Sequence, residues 1–414
     1  MKERKMRRCA ALLLAAVAAA GVLSPQVGAI AGLPDAMVLQ TGGVASVEVA
    51  LPLSAEVSDN AVIASVGQDG ASSLSLTAGD ETGTAEVVFR LLGLVPVKTM
   101  TVTVEQPRML VPGGRSLGVA LETAGLMVVG SSDLGTSASP AQKAGIRPGD
   151  VILSVDGTPV ADAAALSERI SAGKTARIEV DREGETLCFE VTPQEDPRDQ
   201  QARLGVWVRA STAGVGTLTY FDPETGGFGA LGHAITDVDT GVAFPVGDGA
   251  VYENEVVQIT RGAKGAPGEL TGEFFEQENM LGGIERNTDF GIFGQAEGDL
   301  IDGGLYPEGL PVGLRSEIHT GDAQILTTID GETVEAFDCE IERLYGQTSP
   351  ETRSMVVHVT DPELLERTGG IVQGMSGSPI IQDGKLVGAV THVFVSDPTR
   401  GYGVYIEWML DAAA

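Results

Sequence analysis

Through the first quarter of the chain, apolar and polar positions alternate in short runs. Val44-Ala45-Ser46-Val47-Glu48-Val49, Ser73-Leu74-Ser75-Leu76 and Thr99-Met100-Thr101-Val102-Thr103-Val104 each repeat with period two, and Gly, Asp and Pro interrupt them. Period two puts successive side chains on opposite faces of a strand, so residues 33–106 are expected to form a small sandwich of antiparallel strands. No chemistry is visible there, and the unit reads as a spacer or docking domain. Residues 161–172 change period: Ala165, Leu166 and Ile170 fall on one face of a helix. Beyond residue 201 the pattern returns to strand-like runs and glycine turns such as Asp222-Pro223-Glu224-Thr225-Gly226-Gly227, and helical periodicity reappears only at Glu407–Ala413. That last stretch is long enough for two packed β-barrels. The expected fold class is mainly β.

The amino terminus has a different layout. Lys2, Arg4, Lys5, Arg7 and Arg8 precede an apolar run from Ala10 to Leu23, and the small-residue sequence Ala29-Ile30-Ala31 follows. This is the arrangement of a secretory leader. The run is shorter than the ~20 apolar residues that span a bilayer comfortably, so residues 1–31 read as a signal peptide or a membrane anchor. In either case the rest of the chain is expected to act outside the cytoplasm.

Composition narrows the function further. A chain of 414 residues exceeds one ordinary core, and 55 glycines with 5% aromatics favour β architecture with many tight turns. A net charge of −30 repels phosphate backbones and anionic membrane surfaces, so nucleic acid is excluded as a partner. Cys9, Cys188 and Cys339 lie far apart, and the four histidines form no H-E-x-x-H. Neither a disulfide framework nor a metal-ligand spacing is present.

A second unit opens at Pro107. Pro112-Gly113-Gly114-Arg115-Ser116-Leu117-Gly118-Val119 is a glycine-rich loop running into a strand. Downstream, residues 139–157 read S-P-A-Q-K-A-G-I-R-P-G-D-V-I-L-S-V-D-G. This stretch resembles a bacterial-type PDZ domain, covering a short helix, its glycine stop and a strand pair closed by Asp156-Gly157. The domain is expected over residues 107–193. The resemblance implies an α+β fold whose groove takes a ligand peptide by strand addition, with the N–H groups of Leu117, Gly118 and Val119 holding a terminal carboxylate. The polar run Pro193–Gln201, with two prolines, places a linker over residues 194–201 before a domain over 202–414.

The chemistry concentrates in that last domain. Gly374-Met375-Ser376-Gly377-Ser378-Pro379 places a serine between glycines on a turn, as a nucleophile requires when backbone N–H groups must converge on a developing oxyanion. The expected donors are Gly374 and Ser376. A serine hydroxyl needs a base, most often a histidine oriented by a carboxylate. His233, among the small residues of Gly229-Ala230-Leu231-Gly232-His233-Ala234-Ile235, is the favoured base. His319 lies in a polar loop, while His358 and His392 sit inside strand-like runs. Asp237, Asp239, Asp248, Asp289 and Asp361 all remain open as the carboxylate. Gly370, six residues before the serine, offers no acid for a basic substrate side chain, and the strand Val390–Val393 could pair with an extended substrate.

Four stretches carry a family resemblance: P-G-G-R-S-L-G-V, G-A-L-G-H-A-I-T-D-V-D-T, G-M-S-G-S-P-I-I and T-H-V-F-V-S-D-P-T-R-G-Y-G-V-Y-I-E-W-M-L. With the order of the units, they make the chain similar to the SpoIVB sporulation serine peptidases. The resemblance implies a chymotrypsin-like double β-barrel over residues 202–414, with His233 as base, Ser376 as nucleophile and Asp361 as the third member. It implies no metal or organic cofactor. It further implies a secreted signalling endopeptidase that crosses the inner forespore membrane and cuts its own N-terminal region. That enzyme would then cleave a membrane-bound regulatory protein, triggering intramembrane activation of a late mother-cell sigma-factor precursor. A catalytically silent PDZ scaffold that only docks partner peptides is the rival reading, and a non-proteolytic acyl hydrolase is a third.

Overall fold

A computed structural model describes residues 33–49, 53–68, 73–274, 279–347 and 349–414. The leader expected over residues 1–31 lies outside them. Among the described residues, no helix is long and apolar enough to cross a membrane. The chain divides into two compact units, Met1–Arg108 with Leu314–Ile318, and Met109–Gly313 with His319–Ala414.

In the first unit, a four-stranded and a three-stranded sheet share one core. The alternation seen in sequence is kept: Leu74 and Leu76 are buried, and so are Met100, Val102 and Val104. The strands are not all antiparallel, because Ala36–Gln40 runs parallel to Val95–Glu105.

The second unit holds two closed barrels and a PDZ fold. The first barrel is built from β1 (Ser116–Ser131), β2 (Val206–Phe221), β3 (Gly227–Ala230), β4 (Asp248–Glu253), β5 (Met280–Thr288) and β6 (Gly291–Ala296). They pair around the barrel in the order β1-β4-β5-β6-β3-β2, and β2 closes on β1. The second barrel comprises β7 (Gly321–Thr328), β8 (Val334–Leu344), β9 (Met355–Val359), β10 (Pro379–Gln382), β11 (Lys385–Phe394) and β12 (Asp397–Tyr405). Its closure is β10 on β7.

Two strands are shared between the first barrel and the PDZ fold. The first half of β1 pairs with β4 inside the barrel, and its second half pairs with Val151–Val155 of the PDZ sheet. Strand β2 follows it: Val206–Arg209 pairs with Ser131–Met127, and after a register shift Ser211–Thr217 pairs with Glu122–Ser116. Both strands therefore leave one hydrophobic core and enter another, since Leu117, Val119 and Leu121 belong to the barrel core and Leu126 and Val128 to the PDZ core. The segment expected as a linker is an ordered hairpin, Gln194–Glu195 against Ala202–Arg203, with Asp196 buried.

The PDZ fold carries helices α1 (Pro140–Ala144) and α2 (Ala163–Arg169). Ser139 caps α1, and Gly145 ends it in the left-handed conformation that favours glycine, at φ 103°. The following turn is held by Asp150, whose side chain is fully buried. It accepts from Arg182 Nε at 2.6 Å, from Arg182 Nη2 at 2.8 Å and from the Arg147 N–H at 2.9 Å. Breaking such a pair leaves a guanidinium without its counter-charge. Asp150→Ala is expected to lower stability by about 3 kcal/mol, read as a lower urea midpoint for the second unit; an unchanged midpoint would show that the pair adds nothing.

Candidate active site

Ser376 lies at the junction of the two barrels, on a turn that strand β2 grips from the first barrel. Thr217 Oγ1 donates to the Gly374 carbonyl at 2.7 Å, the Thr217 N–H to the Ser376 carbonyl at 2.9 Å, and Thr219 Oγ1 to the Gly377 carbonyl at 2.8 Å. Both threonines are buried. The turn needs its glycines: Gly374 and Gly377 have φ of 98° and 96°, and a Cβ on Gly377 would stand 2.1 Å from the Thr217 carbonyl oxygen.

With the carbonyls held, the N–H groups divide into two sets. Met375, Gly377 and Ser378 donate to Val372, Val390 and Met375 carbonyls. The N–H groups of Gly374 and Ser376 donate to no acceptor among the described residues. These are the two donors expected for an oxyanion hole.

His233 follows Leu231 and Gly232, both at φ 70°. A leucine in that region is strained, and such strain concentrates at functional turns. The His233 ring lines the same cleft of about 920 Å³ as Ser376. Its Nδ1 meets the Ala234 carbonyl at 2.8 Å. A carbonyl only accepts, so the proton sits on Nδ1 and Nε2 keeps its lone pair, the tautomer a general base needs. Burial holds the pKa below the ordinary 6.5, against the pull of the Ala234 bond. Ser376 Oγ donates to the Thr391 carbonyl at 2.8 Å, so the hydroxyl rests on that carbonyl.

The loop after His233 is braced from two sides. Asn287, near the end of β5, accepts from the Ile235 N–H at 2.8 Å and donates to the Ile235 and Phe244 carbonyls at 2.8 and 2.9 Å. Asp237 is buried and accepts from the Asp239 and Thr240 N–H groups, from Thr240 Oγ1 and from Arg209. Burial works to raise its pKa, but those hydrogen bonds outweigh it and hold it low.

The five open aspartates now separate. Asp237 and Asp239 are tied to Arg209. Asp248 accepts from the Gly249 N–H at the start of β4. Asp361, which the family resemblance implies as the third catalytic member, is instead the N-cap of α3 (Pro362–Thr368). Its Oδ1 accepts from the N–H groups of Glu363 and Leu364 at 2.9 and 3.0 Å, and it does not line the cleft. Among the described residues, Asp289 is the only carboxylate lining the cleft with His233 and Ser376. It stands in the β5–β6 turn, two residues beyond Asn287.

Leu117, Gly118 and Val119, expected to hold a peptide carboxylate, are corrected in the same way. Both edges of this stretch are taken, by Glu253, Tyr252 and Val251 on one side and by Gly216, Val215 and Gly214 on the other. Leu117 is buried in the barrel core, and a Cβ on Gly118 would stand 2.2 Å from the Phe274 ring. The PDZ sheet instead ends at Val206–Arg209, whose outer edge pairs with no strand among the described residues. A second Leu-Gly-Val, at residues 204–206, is the sequence signal for that edge. His392 was also read only as a strand residue. Its ring centroid lies 4.8 Å from that of His233, and its pKa is pushed down to about 4, first by burial, then by His233 and Arg353.

A sequence profile of the SpoIVB peptidase S55 family matches residues 200–410, half of the chain, and a PDZ-domain profile matches residues 116–192. The chain belongs to the SpoIVB peptidase S55 family. It also carries a PDZ domain. A Lactococcus lactis protein named as a zinc metalloprotease, LL2128, is 34% identical over 112 residues, covering 27% of this chain and 24% of that protein. The mouse serine protease HTRA3 is 38% identical over 56 residues, 14% of this chain and 12% of HTRA3. The chain thus spans a quarter or less of these relatives' length. Among solved structures, the active form of the Rv3671c protease from M. tuberculosis overlaps 48% of this chain and 72% of that one, at 17% identity and a TM-score of 0.27. The HtrA-type protease AlgW with a decapeptide overlaps 50% and 53%, at 12% identity and a TM-score of 0.27.

The lowered pKa of His233 gives its expected role as base a pH test. A histidine base acts only when neutral, and the lowered pKa keeps His233 neutral below pH 6.5. The acid limb of kcat/KM is therefore expected to fall below pH 6.5; a limb at or above that value would contradict the burial argument.

Proposed function

We propose that this SpoIVB-family peptidase is an exported signalling enzyme of sporulation. It cleaves its own N-terminal region and a membrane-bound regulatory protein across the inner forespore membrane, and so triggers intramembrane activation of a late mother-cell sigma-factor precursor. Family membership and the basic-then-apolar order of Lys2–Leu23 support this reading. Peptide capture by the PDZ domain is assigned to the open edge Val206–Arg209, where an extended segment can add as a further strand.

In the mechanism, Ser376 Oγ leaves the Thr391 carbonyl, passes its proton to His233 Nε2 and attacks the substrate carbonyl. The oxyanion accepts from the Gly374 and Ser376 N–H groups. His233 returns the proton to the leaving amine, and water cleaves the acyl-enzyme by the same relay. The β11–β12 ladder skips Thr391 and His392, leaving that stretch of backbone for the substrate. The Ala234 carbonyl fixes the imidazole tautomer, and Asp289 is the carboxylate that offsets the imidazolium charge.

The observation that carries the peptidase mechanism is the pair of unused N–H groups flanking Ser376 in the cleft of His233. Treating the full chain with a serine-directed phosphonate is expected to label Ser376, with labelling lost in His233→Ala and self-cleavage lost in Ser376→Ala. Labelling elsewhere, or undiminished self-cleavage, would sink it. The two aspartates are separated by a paired measurement. Asp289→Asn is expected to lower kcat/KM by roughly tenfold to a hundredfold at unchanged melting temperature, less than a full triad aspartate because Ala234 already orients the ring. Asp361→Ala is expected to lower stability by about 1 kcal/mol through the lost cap, with kcat/KM unchanged. The reverse result would restore Asp361 to the mechanism.

A further inference from the structure

The cleft contains one strong cation that the mechanism does not use. Arg353 lines it together with His233, His392 and Ser376, and among the described residues no other Lys or Arg does so. Its guanidinium lies 4.9 Å from the centroid of the Tyr402 ring. Among the described residues, no carboxylate pairs with it. Partners are not scarce in a chain with 57 acidic against 27 basic side chains. Several arginines elsewhere do form such pairs: Arg115 with Glu253, Arg182 with Asp150, Arg209 with Asp237, and Arg400 with Glu342 and Asp397.

The backbone that carries Arg353 is held in place. Gln347 Nε2 donates to the Arg353 carbonyl at 2.8 Å, while Gln347 Oε1 accepts from Ser354 Oγ at 3.0 Å and from Trp408 Nε1 at 2.9 Å. The Ser354 N–H donates to the Gly403 carbonyl of β12 at 2.9 Å. Fixed backbone and stacking on Tyr402 leave the guanidinium with little freedom to lose on binding, and its planar fork suits a carboxylate. The protein's overall negative charge does not cancel this attraction, since exposed charges more than ~8 Å away are largely screened at physiological salt.

We propose that Arg353 is a substrate-binding residue for a carboxylate, so that the peptidase prefers peptides with an acidic group close to the scissile bond. The inference rests on the peptidase reading and adds the substrate class. A bound carboxylate also neutralises a positive charge that opposes the imidazolium of the reaction, which links recognition to turnover. The carboxylate can belong to an Asp or Glu side chain or to a chain terminus.

The test uses the full chain with synthetic peptide libraries in free-acid and amidated forms, cut sites being mapped by mass spectrometry. Wild type is expected to favour Asp or Glu over Asn or Gln at one position by about tenfold in kcat/KM, the scale of one charge-assisted hydrogen bond. The preference should fall to about one in Arg353→Gln and turn toward Lys or Arg in Arg353→Glu, with phosphonate labelling of Ser376 confirming a formed site in each. A preference that survives amidation assigns the carboxylate to a side chain; one lost on amidation assigns it to a terminus, and either supports the site. No acid preference in wild type, or one that persists in Arg353→Glu, would overturn it while leaving the peptidase standing. No cutting of any peptide together with an unlabelled Ser376 would overturn both.

Discussion

The grip of Thr217 and Thr219 on the Ser376 turn is the interaction on which the rest of the molecule depends. An oxyanion site needs N–H groups that are held in place yet left unused, and these demands conflict, because a loop is ordinarily fixed through its own hydrogen bonds. Here the carbonyls of Gly374, Ser376 and Gly377 are taken by donors on β2, so the turn is fixed without spending the N–H groups of Gly374 and Ser376. The first barrel therefore does more than carry His233. It also supports the Ser376 turn.

The same strand explains how the histidine is placed. At the register shift where β2 passes from the PDZ sheet to the barrel, Arg209 reaches the buried Asp237, which organises the loop after His233. Asn287 fixes the other side of that loop and brings the β5–β6 turn to the cleft. His233, Ser376 and the PDZ edge are thus all tied to one sixteen-residue element.

Much of this was legible in the sequence, and the pattern of what was not has a physical reason. Ser376 between glycines, His233 after Leu231-Gly232, and the S-P-A to V-D-G run are local signals, because a positive φ or a helix stop is decided within a few residues. The carboxylate is a different problem. An aspartate before Pro-Glu-Leu-Leu is, by local chemistry, a helix cap, and Asp361 acts as one; which aspartate reaches the cleft depends on Asn287 tying the β5–β6 turn to Ile235 and Phe244, contacts far along the chain. Leu117-Gly118-Val119 misled for a similar reason. The chain contains Leu-Gly-Val twice, and only the closure of the barrel decides which copy is enclosed and which lies on the open edge of the PDZ sheet. Thr217 and Thr219 carry no mark at all, since alternating threonines in a strand look like any half-exposed face.

The continuity of β1 and β2 through both cores bears on how the protein can be taken apart genetically. Excising the stretch that matches a PDZ domain, residues 116–192, removes a stave of the first barrel along with the peptide-binding fold. The inactivity of such a truncation reports a broken barrel, whatever peptides the missing part once held. Recognition and catalysis come apart only through point changes confined to α2 or to the outer edge of Val206–Val208, since Arg209 also holds the loop after His233. By the same logic, the PDZ half of this peptidase cannot be exchanged for another as a cassette: the seam lies inside two strands and not in a linker.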